Sequence, residues 1–301
     1  MSKFAELLNN VYGYESEDKF EAALGVIPMD ELMEAAATEP QDGELGAGYS
    51  EEDRFIIHML KWFKGWFSWV NAPECGNCKS SEHMKLVGRA NPNEEEDRYG
   101  AKMVELWQCT VCHQSTRFPR YNDCVRLLSY RKGRCGEWCN VMHLLLRSLG
   151  RDTRYVWNSE DHVWNEIWSE DKQRWIHVDS CEAAFDNPQL YTDGWGKKMA
   201  YVIGFSVFGA TDITRRYVRR PEMAIPRSIA REEDLDRVLK NLSAVARQKL
   251  DPVEEVNAYM RDQKEAAELA SYVPSTKTGA DMLPRQSGSQ EWTQQRGEAG
   301  S

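Results

Sequence analysis

The chain has 301 residues with a net charge of −10, and 41% of its residues are hydrophobic. This composition supports a sizeable buried core, whereas the negative charge argues against general nucleic-acid binding. No segment approaches the roughly 18 apolar residues of a membrane span, and the N-terminus lacks the pattern of a secretory signal. We therefore expect a cytoplasmic or nuclear protein with reduced thiols, in which the eight cysteines have roles other than disulfides.

The first part of the chain is predicted to be helical. Helical periodicity extends over residues 1–38, and a stretch rich in glycine, glutamate and proline then indicates a linker up to residue 50. The following segment, EEDRFIIHMLKWFKGWFSWV (51–70), is typical of an amphipathic helix rich in tryptophan. These patterns separate N-terminal helices and a linker, residues 1–50, from a folded core over residues 51–225.

Two C-x-x-C pairs dominate residues 73–118. Cys75 and Cys78 form the first pair, Cys109 and Cys112 form the second, and 30 residues lie between them. Four thiolates fill the tetrahedral shell of zinc, and a closed shell leaves no open position for catalytic water. The intervening NPNEEEDRYG segment is typical of an exposed hairpin tip. The pattern therefore predicts one structural zinc ion, with two unrelated cysteine pairs as the alternative.

The segment GRCGEWCNVMHLLLRSLG (133–150) predicts a helix that begins near Cys135 and ends before a glycine. The N–H groups and dipole at a helix N-terminus favour a thiolate at Cys135, and the same groups could hold a developing oxyanion. Cys139 falls one turn inside the helix and is interpreted as core. Cys124 and Cys181 are assigned to packing, because neither is expected at a helix N-terminus. Position alone leaves Cys135 as either a nucleophile or a core residue.

Residues 153–210 alternate apolar and polar side chains between turn signals, a pattern that predicts a strand-rich sheet. Within it, DHVWNEIWSEDKQRWIHVDS (161–180) predicts a hairpin around a four-residue loop at residues 169–172. That register places His162 directly opposite Asp179, and the Cβ atoms of such pairs lie about 4.5–5.5 Å apart. A carboxylate in this position orients the imidazole as a general base.

A second histidine lies on the same face of the predicted hairpin. The register pairs His177 with Trp164, which cannot orient an imidazole, so His162 is the stronger candidate. We therefore predict a triad in which Cys135 is the nucleophile, His162 is the base and Asp179 is the orienting acid.

The C-terminal part of the chain is predicted to form helices over residues 226–272. Two helical stretches, at about 231–249 and 252–270, are separated by an Asp-Pro pair, and proline is tolerated at the first position of a helix. Residues 273–301 are polar and poor in aliphatic side chains, which predicts a disordered tail.

The motifs GRCGEWCN, DHVWNE and HVDSCE, with the paired C-x-x-C knuckles upstream, resemble cytoplasmic peptide:N-glycanase of the transglutaminase-like superfamily, in its compact fungal form. The resemblance spans about residues 50–220. It implies an α+β fold with a transglutaminase-like, papain-like core, in which the nucleophile helix packs on an antiparallel sheet beside a zinc module and flanking helices. It also implies the catalytic roles given above for Cys135, His162 and Asp179, and zinc at the two knuckles.

The same resemblance implies a substrate and a partner. The substrate would be denatured N-glycosylated proteins from the endoplasmic reticulum, whose glycan-bearing Asn is converted to Asp. The partner would be a proteasome-shuttle ubiquitin receptor, bound partly through the terminal helices. A transglutaminase-like thiol protease or acyltransferase could use the same triad, and a non-catalytic scaffold of the same fold is a further alternative.

The predicted hairpin also suggests residues that contact the glycan. Trp164, Glu166 and Trp175 share the face of His162, and an unpaired buried carboxylate would be costly. A cleft lined by these side chains is the more favourable interpretation, because aromatic rings pack on sugar rings and a carboxylate accepts hydrogen bonds from hydroxyl groups. Trp69, just before the first knuckle, would supply another wall, and burial of the tryptophans in the core is the alternative.

Overall fold

The computed structural model describes residues 2–38 and 48–273. Most of the predicted linker, and the predicted disordered tail after Val273, lie outside these residues. The α-helices are α1 (Ser2–Tyr12), α2 (Glu17–Leu24), α3 (Met29–Thr38), α4 (Glu51–Trp66), α5 (Glu94–Arg98), α6 (Cys124–Tyr130), α7 (Cys135–Ser148), α8 (Thr214–Tyr217), α9 (Glu232–Arg247) and α10 (Pro252–Ser271). None of them has both the length and the apolar character needed to cross a membrane.

The strands are β1 (Ser68–Trp69), β2 (Met84–Ala90), β3 (Val104–Cys109), β4 (Ser115–Pro119), β5 (Lys132–Gly133), β6 (Thr153–Asn158), β7 (His162–Ser169), β8 (Arg174–Asp179), β9 (Ala184–Phe185), β10 (Val202–Ser206) and β11 (Gly209–Asp212). A π-helix at Leu190–Gly194 and a 3₁₀ turn at Pro221–Met223 complete the regular structure of the described residues.

The main sheet is antiparallel and has the strand order β11-β10-β6-β7-β8-β9. Helix α7 packs on it and buries Val141, Leu144 and Leu145 in the same core as Ile167 and Ile176 of the sheet. The prediction of an α+β fold, with the helix that begins at Cys135 lying on an antiparallel sheet, is confirmed.

The cysteine module forms its own antiparallel sheet in the order β2-β3-β4, with a bulge between Leu86 and Gly88. Its connection from β2 to β3 is not merely the exposed hairpin tip expected from the sequence, because it contains the short helix α5. The side chain of Asn93 caps this helix, and the buried Glu96 pairs with Arg117 at 2.5 Å. The acidic run is therefore partly structural.

The hairpin of β7 and β8 has a different register from the predicted one. The loop occupies residues 170–173, so that Trp168 pairs with Trp175 and Glu166 pairs with His177. His162 is consequently not directly opposite Asp179 but displaced by two residues. A shift of two residues keeps both side chains on the same face of the sheet, because strand side chains alternate with a period of two.

The terminal helices pack against the main sheet. Leu8 and Val11 of α1 share a hydrophobic cluster with Phe205 of β10 and Leu239 of α9. Helix α10 begins after Asp251, whose side chain caps it with a capping box, as the predicted boundary implies. Along α10, Glu265 is buried against the core. Both ends of the described chain therefore contribute to the same folded unit as the sheet.

Candidate active site

Cys135 lies at the first position of α7, as the sequence predicts. The helix starts abruptly because the Glu137 carboxylate turns back to accept the backbone N–H of Arg134 at 2.9 Å. A side chain at position 133 would clash with Glu137, since a Cβ on Gly133 would lie 2.3 Å from the Cβ of Glu137. Cys135 is 8% exposed, whereas Cys139 one turn later is 1% exposed. Cys135 is therefore the more accessible of the two thiols.

The N-terminus of α7 is tied to the cysteine module by a buried ion-pair network. The Arg134 guanidinium donates to both carboxylate oxygens of Glu105 on β3, at 2.5 and 2.8 Å, and to the carbonyl of Val70 at 2.9 Å. Arg120 makes a second bidentate pair with Glu137, at 2.6 and 2.7 Å. Bidentate pairs of this kind fix orientation as well as position. The residue directly before Cys135 is thus held by the module that carries the four clustered cysteines.

His162 and Asp179 form the predicted pair despite the changed register. Nε2 of His162 lies 3.0 Å from Oδ2 of Asp179, and both side chains are buried. Nδ1 of His162 has no hydrogen-bond partner among residues 2–38 and 48–273. Cys135 and His162 line the same cavity, and the nearby thiol contributes to the raised pKa of His162. The structure therefore brings Cys135, His162 and Asp179 together.

The protonation of this pair follows from its surroundings. Burial, the strongest influence on His162, disfavours the charged ring, but interactions with Asp179 and Cys135 outweigh it and raise the pKa of His162 to about 9. Burial would also raise the pKa of Asp179, yet the hydrogen bond and charge of His162 hold that pKa well below its usual range. An imidazolium–carboxylate pair is therefore the stable form at neutral pH.

Two residues that the sequence analysis did not assign to the site complete its hydrogen bonds. The hydroxyl of Tyr191, in the π-helix, donates to Oδ2 of Asp179 at 2.8 Å and lies 2.7 Å from Nε2 of His177. His177 was considered only as a rival base. Burial lowers the pKa of His177 to about 4, so its ring is neutral at neutral pH. His177 therefore does not form an imidazolium that could replace that of His162. No local pattern points to Tyr191, which follows an irregular connection after β9.

A cavity of about 540 Å³ opens beside Cys135. Its lining includes Leu86 and Arg89 of β2 and Glu105 of β3. Cys135, Trp157 and His162 line the same cavity. Leu86 and Arg89 lie on the same face of the sheet because of the bulge in β2. They pair with Trp107 and Glu105, which are two residues apart in β3. The cysteine module therefore forms a wall of the cavity that contains Cys135 and His162.

Three of the four predicted glycan contacts are corrected by the structure. Trp164, Glu166 and Trp175 are all at least 98% buried, so no glycan can reach them. Trp164 packs against Tyr191 with 4.3 Å between ring centroids. The Arg154 guanidinium lies 3.9 Å from the centroid of the Trp175 ring. The alternative of core tryptophans is the one that the structure supports for these positions.

Glu166 is also not the unpaired carboxylate that the sequence suggested. Its Oε1 accepts hydrogen bonds from Arg216 and from the hydroxyl of Tyr217, each at 2.8 Å. Arg154 lies 3.4 Å from Oε2 and makes a bidentate pair with Glu265 of α10, at 2.6 and 2.7 Å. The carboxylate therefore belongs to a buried network that joins the hairpin to the C-terminal helix.

Trp69 is the one predicted glycan contact that keeps partial exposure. Strand β1 pairs in parallel with β5, which places Trp69 opposite Gly133, two residues before Cys135. Its indole N–H donates to Asn71 at 2.8 Å. A sugar contact at Trp69 stays a prediction.

Replacing Glu166 by alanine is expected to destabilise the fold by about 3–5 kcal/mol, because it removes one carboxylate facing two buried guanidinium groups. Glu170→Ala is a suitable control, since Glu170 is 65% exposed and pairs with Arg261 only at the surface; we expect a change within about 1 kcal/mol. Urea unfolding of both variants measures the difference. Unchanged stability of Glu166→Ala, together with weaker glycan binding, would restore the sugar-contact interpretation.

The four cysteines of the two knuckles converge as predicted. Their Sγ atoms all lie within 4.8 Å of one another. The sulfur atoms of Cys75 and Cys112 are 3.5 Å apart, and those of Cys78 and Cys109 are 3.8 Å apart. Tetrahedral coordination with metal–sulfur distances of about 2.3 Å requires sulfur separations of about 3.8 Å. The cluster could therefore hold one metal ion.

The electrostatics of the cluster favour a cation. The backbone N–H groups of Cys112 and Val111 point at Cys109 and lower its pKa to about 6. The pKa of Cys78 is raised instead to about 12, because the sulfurs of Cys112 and Cys109 share its proton. Four thiolates this close repel one another, and a divalent cation would replace the shared proton.

The other cysteines are buried. Cys139 and Cys181 are core residues, in agreement with the sequence analysis. Cys124 is also buried, but the expectation that it lies away from a helix N-terminus is wrong, because it is the first residue of α6. Burial is the main cause that raises the pKa of the Cys124 thiol. A helix N-terminus by itself therefore does not single out a nucleophile in this chain.

Comparisons with known proteins agree with this architecture. A family model of the transglutaminase-like superfamily matches residues 85–180, and a model of the Rad4 transglutaminase-like domain matches residues 154–270. A solved chain of the Rad4/XPC nucleotide excision repair complex aligns with 95% of this chain and 63% of its own length, with a TM-score of 0.52 and 12% identity. At that identity the likeness shows the fold alone.

Closer relatives carry the name peptide-N(4)-(N-acetyl-beta-glucosaminyl)asparagine amidase. The one from Yarrowia lipolytica is 43% identical over 96% of this chain and 81% of the relative. The chain belongs to this amidase family. The Saccharomyces cerevisiae amidase is 41% identical over 86% of this chain and 74% of its own length. The Arabidopsis thaliana amidase is 39% identical over 98% of this chain, which spans only 41% of the plant protein.

Proposed function

We propose that the protein is a peptide:N-glycanase that removes N-linked glycans from denatured glycoproteins, converting the glycan-bearing Asn to Asp. The observation that carries the proposal is the His162–Asp179 pair beside Cys135 at the start of α7. The amidase family supplies the reaction class, hydrolysis of a carbon–nitrogen bond in a linear amide. The complete Cys-His-Asp set argues against a non-catalytic scaffold.

The reaction proceeds in two halves through a thioester. The sulfur of Cys135 attacks the side-chain amide carbon of the substrate, and N–H groups in the first turn of α7 stabilise the oxyanion that forms. His162 protonates the departing glycosylamine nitrogen as the carbon–nitrogen bond breaks. The neutral imidazole then takes a proton from water, whose oxygen attacks the thioester and releases the Asp product and Cys135. Asp179 keeps the imidazole oriented throughout.

The direct test is mass analysis of a denatured high-mannose glycopeptide after incubation with the protein. The proposal predicts a peptide with Asp at the former glycosylation site, together with an intact released glycan. Cleavage of the peptide backbone, or transfer of an amine to the peptide, would identify a thiol protease or an acyltransferase instead. An unchanged glycopeptide would reject the proposal.

The pH dependence of the reaction gives a second prediction. The folded pKa of His162, about 9, exceeds the ordinary value of 6.5. The protonated His162 ring therefore stabilises the folded protein fully below about pH 6.5, and this stabilisation is lost as the pH rises through about 9. Because His162 must be protonated to release the glycosylamine, kcat/KM is expected to fall on the alkaline side around pH 9. An alkaline midpoint near 6.5 would contradict an imidazolium stabilised by Asp179 and Cys135.

We propose zinc as the ion of the four-cysteine cluster, in a structural role. An all-sulfur shell suits zinc and leaves no position for substrate or water. The ion would supply no step of the reaction, and its effect on chemistry would pass through the Glu105–Arg134 pair. Metal analysis of the purified protein, expected to find one zinc per chain, tests the assignment. Iron or no metal in stoichiometric amount would reject it.

A proteasome-shuttle ubiquitin receptor is the proposed protein partner. Val253, Val256 and Met260 of α10 are at least half exposed and lie on one face at helical spacing. Replacing Val256 by Asp is expected to weaken receptor binding by roughly 30-fold, the size of a hot-spot residue, while glycopeptide turnover persists. Val87→Asp on β2, another half-exposed valine, is the binding control. Calorimetry that finds equal receptor affinity for both variants would reject this face.

The cytoplasm, with the nucleus as a second location, is the proposed compartment. The eight cysteines are free thiols, and a four-thiolate metal cluster needs reduced sulfurs. Fluorescence imaging of the tagged full chain tests the location. A signal confined to the secretory pathway would contradict it.

A further inference from the structure

His177 and Tyr191 are buried polar residues that the proposed reaction does not use. Both side chains lie directly behind the catalytic carboxylate, and their exposed fractions are 1% and 0%. Tyr191 sits in a π-helix, a rare local structure that is often found at functional sites. The contacts of these two residues define a chain of hydrogen bonds that ends on Asp179.

The direction of each bond in this chain follows from counting protons. Oδ2 of Asp179 accepts from His162 and from Tyr191, and Oδ1 accepts the backbone N–H groups of Cys181 at 2.8 Å and Glu182 at 3.3 Å. The carboxylate is ionised and has no proton to donate. The single hydroxyl proton of Tyr191 must therefore point to Asp179, and the Tyr191 oxygen must accept from Nε2 of His177.

We propose that the His177–Tyr191 chain sets the charge distribution on Asp179, which makes Tyr191 a positioning residue for the His162–Asp179 pair. The hydroxyl of Tyr191 draws negative charge on Oδ2 away from the imidazolium of His162. His177 holds that hydroxyl in place, and its ring is fixed as the Nε2–H tautomer. In this tautomer Nδ1 of His177 carries no proton, and it has no hydrogen-bond partner within the described part of the chain.

Other titratable groups lie around the hydrogen bonds that link His177, Tyr191 and Asp179. Their influence on the pKa values must be separated from that of these hydrogen bonds. Burial is the largest influence on the pKa of His177, and Asp179, Asp186 and His162 act on it by charge. The pKa of Tyr191 is raised mainly by burial, and further by Asp179, Tyr217 and Cys181. Of these groups, Tyr217 provides a matched control. It is a second fully buried tyrosine of the same aromatic cluster, but its hydroxyl donates to Glu166 rather than to Asp179.

The proposed chain of hydrogen bonds can be tested by NMR titration of the protein labelled with ¹⁵N-histidine. In the unmodified protein, His177 should appear as the neutral Nε2–H tautomer and should titrate only well below neutrality, near pH 4. His162 should stay doubly protonated up to about pH 9. An Nδ1–H tautomer of His177, or titration of His177 near neutrality, would overturn the proposed chain without any substitution.

Replacing Tyr191 by Phe removes one donor from Asp179. The carboxylate should then hold the His162 proton more tightly, and the His162 midpoint should rise by roughly one pH unit. Tyr217→Phe should leave this midpoint unchanged. A midpoint that stays fixed in Tyr191→Phe, or rises equally in both variants, would show that Tyr191 serves packing alone.

A kinetic measurement separates this inference from the proposed function on which its catalytic meaning rests. The alkaline limb of kcat/KM for glycopeptide should shift upward in Tyr191→Phe by the same amount as the His162 midpoint. If the NMR midpoint rises and the kinetic limb does not, the hydrogen-bond chain stands and the role of His162 as proton donor fails. If neither moves, the positioning role of Tyr191 fails.

Discussion

Replacing Cys135 by alanine is expected to lower glycopeptide deglycosylation by a factor on the order of 10⁴ or more, because no other residue can supply the nucleophile. The side chain is small and lies at the start of α7, so the fold should persist. Release of glycan from a denatured glycopeptide measures the activity, and circular dichroism with thermal unfolding checks the structure.

Cys139→Ala is the matched control for this substitution. Cys139 lies on the same helix one turn later and is 1% exposed, so it contributes packing rather than chemistry. Its replacement should leave turnover within a few-fold of the unmodified protein and lower stability only modestly, as small core truncations do. If Cys139→Ala abolishes turnover while Cys135→Ala retains it, the assignment of the nucleophile to the first position of α7 is wrong.

Loss of the metal from the four-cysteine cluster is expected to cost on the order of 10 kcal/mol of folding free energy, since metal binding and folding are coupled in such modules. The loss should also disturb the active site. Strand β3 carries Glu105 and ends at Cys109 of the cluster, and Glu105 holds Arg134 directly before Cys135. Metal removal should therefore displace the nucleophile.

Cys109→Ser tests this coupling, with metal content, urea unfolding and the rate of Cys135 alkylation as readouts. Metal content and stability should fall, and the alkylation rate should change with them. Cys124→Ser, at a buried cysteine outside the cluster, should keep the metal and the alkylation rate. A folded, active and metal-free protein would refute the structural role of the ion.

The sequence was sufficient to predict the start of α7, the convergence of the two cysteine knuckles and the strands that carry His162 and Asp179. These features depend on local signals: a glycine before a helix, ligand spacing and a period of two along a strand. The His162–Asp179 contact survived a wrong register because the error was two residues, which preserves the face. An error of one residue would have placed the two side chains on opposite faces.

The rest of the site depends on contacts between distant parts of the chain. Glu166 looked unpaired because its partner Arg216 lies 50 residues away in the sequence. The same guanidinium also donates to Glu265 of the last described helix. Tyr191 reaches Asp179 from a π-helix that follows an irregular connection. Neither arrangement has a periodic signature, so the local sequence pattern predicted a cleft at Glu166 and gave no indication of Tyr191.

The thiol mechanism is tested most directly by a rapid-quench, single-turnover reaction of the protein with a denatured glycopeptide, followed by peptide mapping of the enzyme by mass spectrometry. This mechanism predicts the substrate peptide, already without its glycan, joined through its former Asn side chain to Cys135 as a thioester. A covalent adduct on a different cysteine, an adduct that still carries the glycan, or glycan release with no enzyme-bound intermediate would contradict it.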